Sequence, residues 1–261
     1  MTDPYLVVGN PIGHSLSPVI QQAAFDDLSV DADYSARQVD AGGLKRVVDD
    51  VRSGLLAGAN VTMPHKNLAC ELVDRVDGDA GLARSVNTLL RTGEEVVGMS
   101  TDIPAIRAEW QRKSLPDSSV LILGSGGAAA AALVALNGME VFVSARHVSS
   151  LESLRRRLGI AFEIVPWATP VPGVALVNAT PLGMKGESLP PGLLAAAEGL
   201  FDMAYGALPT PATIGAKTLG QPVVDGLDML VAQAGLSFEA WTGYSAPLEV
   251  MRKAAQIAQG W

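Results

Sequence analysis

The sequence predicts an α/β protein of two domains, and three observations carry this. Short apolar runs alternate with segments of helical period along most of the chain. The pattern breaks at Leu115-Pro116-Asp117 and restarts at once with an apolar strand, a glycine loop and an alanine-rich helix. Finally, 261 residues suit one large domain or two small ones, and with 48% hydrophobic and 18% charged there is enough apolar surface for a real core.

In chain order, Leu6-Val7-Val8 is a short strand that stops at Gly9. The loop behind it carries Pro11, Gly13 and Ser15-Leu16-Ser17-Pro18. A helix starts there, with Ser17 as N-cap and Pro18 at the first helical position. The hydroxyl serves an unpaired amide, and proline has no amide to leave unpaired. Ile20, Ala23, Ala24 and Leu28 form its apolar face. Tyr34 to Val39 is a second strand, and Leu44 to Arg52 a second helix that ends near Gly54. Gly58 to Thr62 is a third strand, followed by a helix from Lys66 through Asp74. Val86 to Leu90 and Val96 to Gly98 pair as a hairpin around Arg91-Thr92-Gly93-Glu94. Asp102 to Lys113 is helical, and the break at Leu115-Pro116-Asp117 is the linker candidate.

The second half begins with strand Val120 to Leu123, loop Gly124 to Gly127, helix Ala128 to Asn137, a stop at Gly138 and strand Val141 to Ser144. Further strands lie at Ile164-Val165, Ala175 to Asn178, Leu200 to Met203 and Pro222 to Val224. Met229 to Gly235 and Ala246 to Gln259 are the last helices.

Composition narrows the partners. The formal net charge is −8, and no run of Lys or Arg is long enough to track a nucleic acid. The triplet Arg155-Arg156-Arg157 reads as a solvated helix face. With one cysteine, Cys70, no internal disulfide forms, which fits a reducing, cytoplasmic compartment. Cys70 itself reads as a small buried apolar residue rather than a nucleophile. The start of the sequence reads as no signal peptide, and no apolar run reaches membrane-spanning length, so neither is expected.

Gly124-Ser125-Gly126-Gly127-Ala128-Ala129 fits Gly-x-Gly-x-x-Ala in the context that pattern requires, between an apolar strand and a helix. The first glycine makes the turn and the second admits a pyrophosphate. The small third residue packs helix on strand, and the phosphates sit at the helix N-terminus. This predicts a Rossmann-like dinucleotide-binding domain. No Gly-Lys-Ser/Thr follows, so the loop is not one for nucleoside triphosphates. About 20 residues past the first glycine, a carboxylate would hold the ribose hydroxyls of NAD. That position falls near Ser144-Ala145-Arg146-His147 and has none. Arg146 instead suits a 2′-phosphate, so NADP is the expected cofactor, with NAD as the alternative.

Ser15 and Ser17 are two apart and lie at a helix start, a pattern suited to cradling a carboxylate. Each also has a plain structural reading, as has Lys66 on a surface and Asp102 at a helix N-terminus. Asn87 and Thr88 fit an edge strand equally well. His14, His65 and His147 lack metal-ligand spacing, and Asp74 to Asp79 fails as a calcium loop at its third and fifth positions, so no metal is expected.

Several segments resemble shikimate dehydrogenases, in family order and over nearly the full length. They are Gly9-Asn10-Pro11-Ile12-Gly13-His14-Ser15-Leu16-Ser17-Pro18, Asn60-Val61-Thr62-Met63-Pro64-His65-Lys66, Asn87-Thr88-Leu89 and Thr101-Asp102. The glycine loop follows, then Asn178-Ala179-Thr180-Pro181-Leu182-Gly183-Met184, Asp202-Met203-Ala204-Tyr205 and Gly226-Leu227-Asp228-Met229-Leu230-Val231-Ala232-Gln233. The resemblance implies NADP-dependent reduction of 3-dehydroshikimate to shikimate, within chorismate and aromatic amino acid biosynthesis. Lys66 and Asp102 would be the catalytic pair. Ser15 and Ser17 would hold the substrate carboxylate with Tyr205 near it, and Thr62, Asn87 and Gln233 would bind ring hydroxyls. Gly124, Ser125, Gly126, Gly127, Ala128, Arg146, Asn178, Thr180, Met203 and Gly226 would face the cofactor. The C-terminal helices would return to the first domain, giving a substrate-binding catalytic domain of residues 1–101 plus 236–261 and an NADP-binding domain of residues 102–235. The partner implied is a small molecule, not a membrane or nucleic acid, in a monomer or homodimer.

The chain departs from the family pattern at Gln21-Gln22, where His-Asn is usual, at Ser100 and Ile103-Pro104 around Thr101-Asp102, at Ala145-Arg146-His147, and at Ser150, where a second basic residue is common. These changes leave room for an NAD-dependent quinate/shikimate dehydrogenase. A non-catalytic nucleotide- or metabolite-sensing protein of the same fold is the reading from another class, and the intact Lys66 and Asp102 argue against it.

Overall fold

The computed structural model describes residues 2–206 and 208–259. The chain divides into two compact units: residues up to Asp102 together with those from Leu230 onward, and Ile103–Met229 between them.

The first unit holds β1 (Asp3–Gly9), α1 (Ser17–Asp27), β2 (Ala32–Gln38), α2 (Ala41–Ser53), β3 (Gly58–Val61), α3 (Lys66–Leu72), β4 (Arg75–Val76), α4 (Asp79–Ala83), β5 (Thr88–Thr92) and β6 (Glu95–Met99). These strands form one sheet in the order β2-β1-β3-β5-β6-β4. β1 pairs parallel with β2 and β3, whereas β5 runs antiparallel to both β3 and β6. The β5–β6 hairpin explains that reversal: its turn carries Gly93 at φ +64°, which a glycine adopts without steric cost. α2 has clear stop and start signals. Asp40 accepts from the Gly43 amide at 2.7 Å, and Gly54 closes the helix in the left-handed region at φ +79°.

The second unit contains most of α5 (Asp102–Arg112), then β7 (Ser119–Leu123), α6 (Gly127–Ala135), β8 (Glu140–Ser144), α7 (Val148–Leu158), β9 (Glu163–Ile164), β10 (Val174–Asn178), α8 (Leu193–Ala196), β11 (Ala197–Asp202), α9 (Pro211–Thr218) and β12 (Val223–Val224). Its sheet runs β12-β11-β10-β7-β8-β9, and every pairing is parallel. The first strand in sequence, β7, is central, and the order turns in opposite directions on either side of it. This is the doubly wound arrangement, with its switch point between β7 and β10. Covered on both faces, β10 is buried along its whole length and reads as an unbroken apolar run ending in Asn178.

α10 (Gly226–Thr242) crosses back into the first unit, and α11 (Leu248–Gln259) lies wholly within it. Phe238 and Trp241, three apart on α10, join Tyr5 and Phe25 in an aromatic cluster. Ring centroids are 5.2 Å apart for Phe25–Phe238 and 4.9 Å for Tyr5–Trp241. Trp241 Nε1 donates to the Leu89 carbonyl at 3.0 Å, and its indole fills the space that a side chain on Gly58 would need.

Gln22 of α1 reaches the outer strand of the first sheet. Its Nε2 donates to the Ala32 carbonyl and its Oε1 accepts from the Tyr34 amide, both at 3.1 Å. Neighbouring Gln21 is fully buried and donates to the Ala234 carbonyl at 2.9 Å.

Three sequence expectations need correction. Leu115-Pro116-Asp117 does not link domains, because it lies inside the second unit. Leu115 is buried, and a Cβ on Gly199 would lie 2.7 Å from its side chain, so the proline ends α5 against packed structure. Ser17 is the first helical residue, not the cap: Leu16 takes that place, with no side-chain capping bond. Arg155 is not simply solvated, since it donates to the Phe162 carbonyl at 2.6 Å with its guanidinium 4.8 Å from that ring's centroid. The units divide at Asp102/Ile103 and Met229/Leu230, the second division falling within α10. Among the described residues no helix is long and apolar enough to cross a membrane.

Candidate active site

Lys66 opens α3 directly behind a tight turn whose His65 amide donates to the Thr62 carbonyl at 2.9 Å. The Lys66 carbonyl accepts from the Val86 amide at 3.1 Å, which fixes its backbone. His65 is buried, and its Nε2 donates to the Val39 carbonyl at 2.8 Å, so this ring anchors the turn. Asp102 opens α5, where the helix dipole favours a carboxylate. From these two helix starts the side chains meet, with Lys66 Nζ 2.6 Å from Asp102 Oδ2. The side chains are only 20% and 9% exposed, so the pair is mostly shielded from the solvent that weakens surface ion pairs.

Asn87 holds the other carboxylate oxygen. Its orientation follows from its neighbours: the Thr101 amide can only donate, so Asn87 Oδ1, 2.8 Å away, accepts from it. Asn87 Nδ2 therefore faces Asp102 Oδ1 at 3.0 Å, Thr101 Oγ1 at 2.9 Å and Gln233 Oε1 at 3.3 Å. Gln233 turns its Nε2 back to the Leu230 carbonyl at 2.9 Å. Asn87 and Thr88 are not at a sheet edge, because β5 lies between β3 and β6 and both residues are buried.

Ser15 and Ser17 are linked by a hydrogen bond from the Ser17 amide to Ser15 Oγ at 3.2 Å. Leu16 between them is helical at φ −86°, ψ −5°, so strand alternation does not align them. Their loop is pinned to the Lys66 turn. The Asn10 amide donates to the Met63 carbonyl at 3.0 Å, and a Cβ on Gly9 would lie 2.5 Å from Thr62 Cγ2. Thr62 is half-buried at the end of β3. One unit thus brings together Ser15, Ser17, Thr62, Lys66, Asn87, Asp102 and Gln233. Cys70 donates to the Lys66 carbonyl at 3.4 Å, and burial pushes its thiol up, which suits a neutral structural group.

Sequence reasoning assigned no role to the residues beneath this group. Asn60 Nδ2 contacts the Asn87 carbonyl, Thr88 Oγ1 and Ser237 Oγ at 3.0–3.1 Å, and its Oδ1 accepts from the Tyr34 hydroxyl at 2.6 Å. Thr101 and Ser237 complete the network and are both buried. The one available signal was spacing: Ser237 follows Gln233 by four residues, one helical turn.

Tyr205 belongs to the second unit, as do the residues expected to face a cofactor. Gly124 has φ +120°, and a Cβ there would lie 2.8 Å from the Ala179 carbonyl oxygen, so only glycine lets the loops after β7 and β10 approach this closely. Gly126 precedes α6 with open space around it and no side-chain cap. A ligand phosphate has room there, at a helix N-terminus where the dipole favours an anion. Gly127 opens α6, half-buried like Ala128 and Ser125. Ser125 Oγ accepts from Ser150 at 2.9 Å, and Arg146 is exposed just past β8.

Asn178 works differently from an open contact. It is fully buried, its Nδ2 donates to Asp202 Oδ1 and the Leu182 carbonyl, and its Oδ1 accepts from the Thr180 amide and hydroxyl. It braces the loop that carries Thr180, and its carbonyl accepts from the Met203 amide at 3.0 Å. Burial raises the Asp202 carboxyl above the usual range, against the pull of bonds from Thr210, Ala204 and Asn178. Gly226 sits where any side chain would strike the Ala204 carbonyl. Among the described residues no group of three His, Cys, Asp or Glu is placed to hold a metal ion.

Comparison with known proteins points to one family. Residues 7–89 match the family model described as the shikimate dehydrogenase substrate binding domain. Residues 226–256 match that of the shikimate 5′-dehydrogenase C-terminal domain. The chain is 35% identical to a shikimate dehydrogenase (NADP(+)) of Archaeoglobus fulgidus, over 95% of this chain and 96% of the relative. It is 37% identical to one of Anaeromyxobacter sp. strain Fw109-5, over 98% and 96%. Among solved structures, a shikimate 5-dehydrogenase from Thermus thermophilus in complex with NADP(H) and shikimate matches with a TM-score of 0.88 and 31% identity, over 98% of this chain and 100% of that one.

Proposed function

The chain belongs to the shikimate dehydrogenase family, and we propose that it catalyses the reversible, NADP-dependent reduction of 3-dehydroshikimate to shikimate. The observation that carries the chemistry is the Lys66–Asp102 pair, 2.6 Å apart and backed by Asn87. Bound NADPH supplies a hydride, and the substrate carbonyl oxygen gains negative charge as it arrives. Lys66 meets that charge with a charged hydrogen bond or a proton. Asp102 holds the ammonium in place and balances its positive charge. Help of this kind is typically worth ~10²–10⁴-fold.

We assign substrate binding to the first unit. The hydroxyls of Ser15 and Ser17 receive the substrate carboxylate, and Thr62, Asn87 and Gln233 receive ring hydroxyls. Tyr205, in the second unit, is the residue that the family resemblance adds for the carboxylate. NADP fits the second unit on two counts: the glycine loop keeps its close approach at Gly124 and its open space at Gly126, and Arg146 stands where a dinucleotide without the 2′-phosphate would want a carboxylate. A lone, half-buried Cys70 is compatible with a reducing cytoplasm.

The test is direct. Purified protein is given shikimate or quinate with NADP⁺ or NAD⁺, and reduced cofactor is followed by absorbance. Turnover of shikimate with NADP⁺ is expected to be fastest. No turnover with any pair would overturn the assignment, and a preference for NAD⁺ or quinate would replace the cofactor or the ring acid.

A further inference from the structure

We propose that Ser237 is a positioning residue for the reacting pair, acting through Thr101 and Asn87; this rests on the role given above to Lys66 and Asp102. A serine inside a helix ordinarily bonds only the carbonyl four residues back. Ser237 does so, to Gln233 at 3.1 Å, but it is fully buried and its Oγ also lies 3.0 Å from Asn60 Nδ2, 2.8 Å from Thr88 Oγ1 and 3.2 Å from Thr101 Oγ1.

Proton accounting gives this contact a direction. Asn87 Nδ2 can only donate, so Thr101 Oγ1 accepts from it at 2.9 Å. The hydroxyl proton of Thr101 must then leave the other way. Asn87 Oδ1 already accepts from the Thr101 amide at 2.8 Å and lies 3.0 Å from the Thr88 hydroxyl. Thr101 Oγ1 also lies 3.3 Å from Asn87 Oδ1, and with that oxygen already taken, Ser237 Oγ at 3.2 Å is the acceptor we assign to Thr101. By taking that proton, Ser237 turns a lone pair of Thr101 toward Asn87 Nδ2. The amide plane is thereby fixed with its second hydrogen on Asp102 Oδ1, 3.0 Å away.

Without Ser237, the Thr101 hydroxyl is free to rotate toward Asn87 Oδ1. Asn87 Nδ2 then loses one of its anchors, and Asp102 is held less firmly against Lys66. Ser237 itself need touch no ligand, so the larger effect belongs in kcat, through Asp102, with a smaller one in KM through Asn87, which also receives a ring hydroxyl.

Ser237→Ala, which also favours the helix, should lower kcat about 5- to 10-fold, the worth of roughly one hydrogen bond, with KM within about twofold of wild type. Thr101→Val cuts the same chain from its other end and should do likewise. The double variant should be no worse than the poorer single one, because both remove one pathway. Unchanged kcat in Ser237→Ala, a matching rise in KM, or additive losses would each overturn the proposal. A second readout needs no substrate. The side-chain amide hydrogens of Asn87, followed by NMR, should exchange with solvent faster in Ser237→Ala than in wild type, and equal rates would overturn the proposal as well. If wild type failed to turn over shikimate, the functional assignment would fall while the amide measurement still decided the role of Ser237.

Discussion

Asn87 and Lys66 divide the carboxylate of Asp102 between them, the amide 3.0 Å from Oδ1 and the ammonium 2.6 Å from Oδ2. The carboxylate therefore cannot turn without breaking a bond, and the lysine is aimed by a group that is itself aimed. In Lys66→Ala, kcat for shikimate oxidation should fall about 10²–10⁴-fold while KM moves only a few-fold, because the interaction is strongest as charge develops on the oxygen. Steady-state kinetics against shikimate decide this, and a kcat near wild type would reduce Lys66 to a binding residue.

Arg146 is exposed just past β8, the strand beside the glycine loop, with Ser150 where a second basic residue would be. Arg146→Ala should weaken binding of 2′,5′-ADP by about 10- to 100-fold, the loss of a charge-assisted bond, and leave 5′-AMP nearly unaffected. Calorimetry with the two nucleotides checks it. Equal losses for both would mean that Arg146 does not read the 2′-phosphate.

Asp202 makes stability depend on pH. Burial raises its folded pKa above the unfolded value of about 3.9, so the folded chain holds this proton more tightly. Its contribution to stability is therefore most favourable in acid, declines as pH rises from about 4 through the folded pKa, and is constant above that. Asp202→Asn keeps an oxygen for Asn178 and the Ala204 amide, and offers Thr210 a donor. The variant should gain Tm relative to wild type as pH is raised through that window. Parallel melting curves at every pH would refute this.

Gly58 is set against the face of Trp241. Gly58→Ala should cost about 1–3 kcal/mol through overpacking. Phe238→Ala, which empties a fully buried site, should cost about 3–5 kcal/mol. Chemical denaturation measures both, and a Gly58→Ala protein as stable as wild type would show that the indole shifts freely.

Much of this architecture was legible in the sequence because it depends on local signals. Gly54 closes α2, the hairpin forms around Gly93, and an apolar run feeds the glycine loop at Gly124. Lys66 and Asp102 each begin a helix, which was readable, but that two helix starts meet is a tertiary fact and came only from the family segments. Ser237 gave only its four-residue spacing from Gln233, since most of its partners lie far away in sequence. Asn178 was visible as part of a segment, yet its saturation by Asp202, Leu182 and Thr180 depends on two loops folding together. The linker assignment failed because a proline break looks alike whether the chain beyond it is free or, as at Leu115, packed against a strand. α9 could have been found: Thr210 before Pro211 is a capping pattern, and Thr210 accepts from the Thr213 amide at 3.1 Å.

Gln22 stands on α1 where the family usually carries asparagine, and its amide occupies two backbone positions on the outer side of β2. An unpaired strand at the margin of a sheet is a template on which another chain can add itself. Here a side chain from the same molecule imitates the next strand at the Ala32 carbonyl and the Tyr34 amide. The glutamine thus leaves this stretch of the sheet margin with two fewer backbone groups on which another strand could pair.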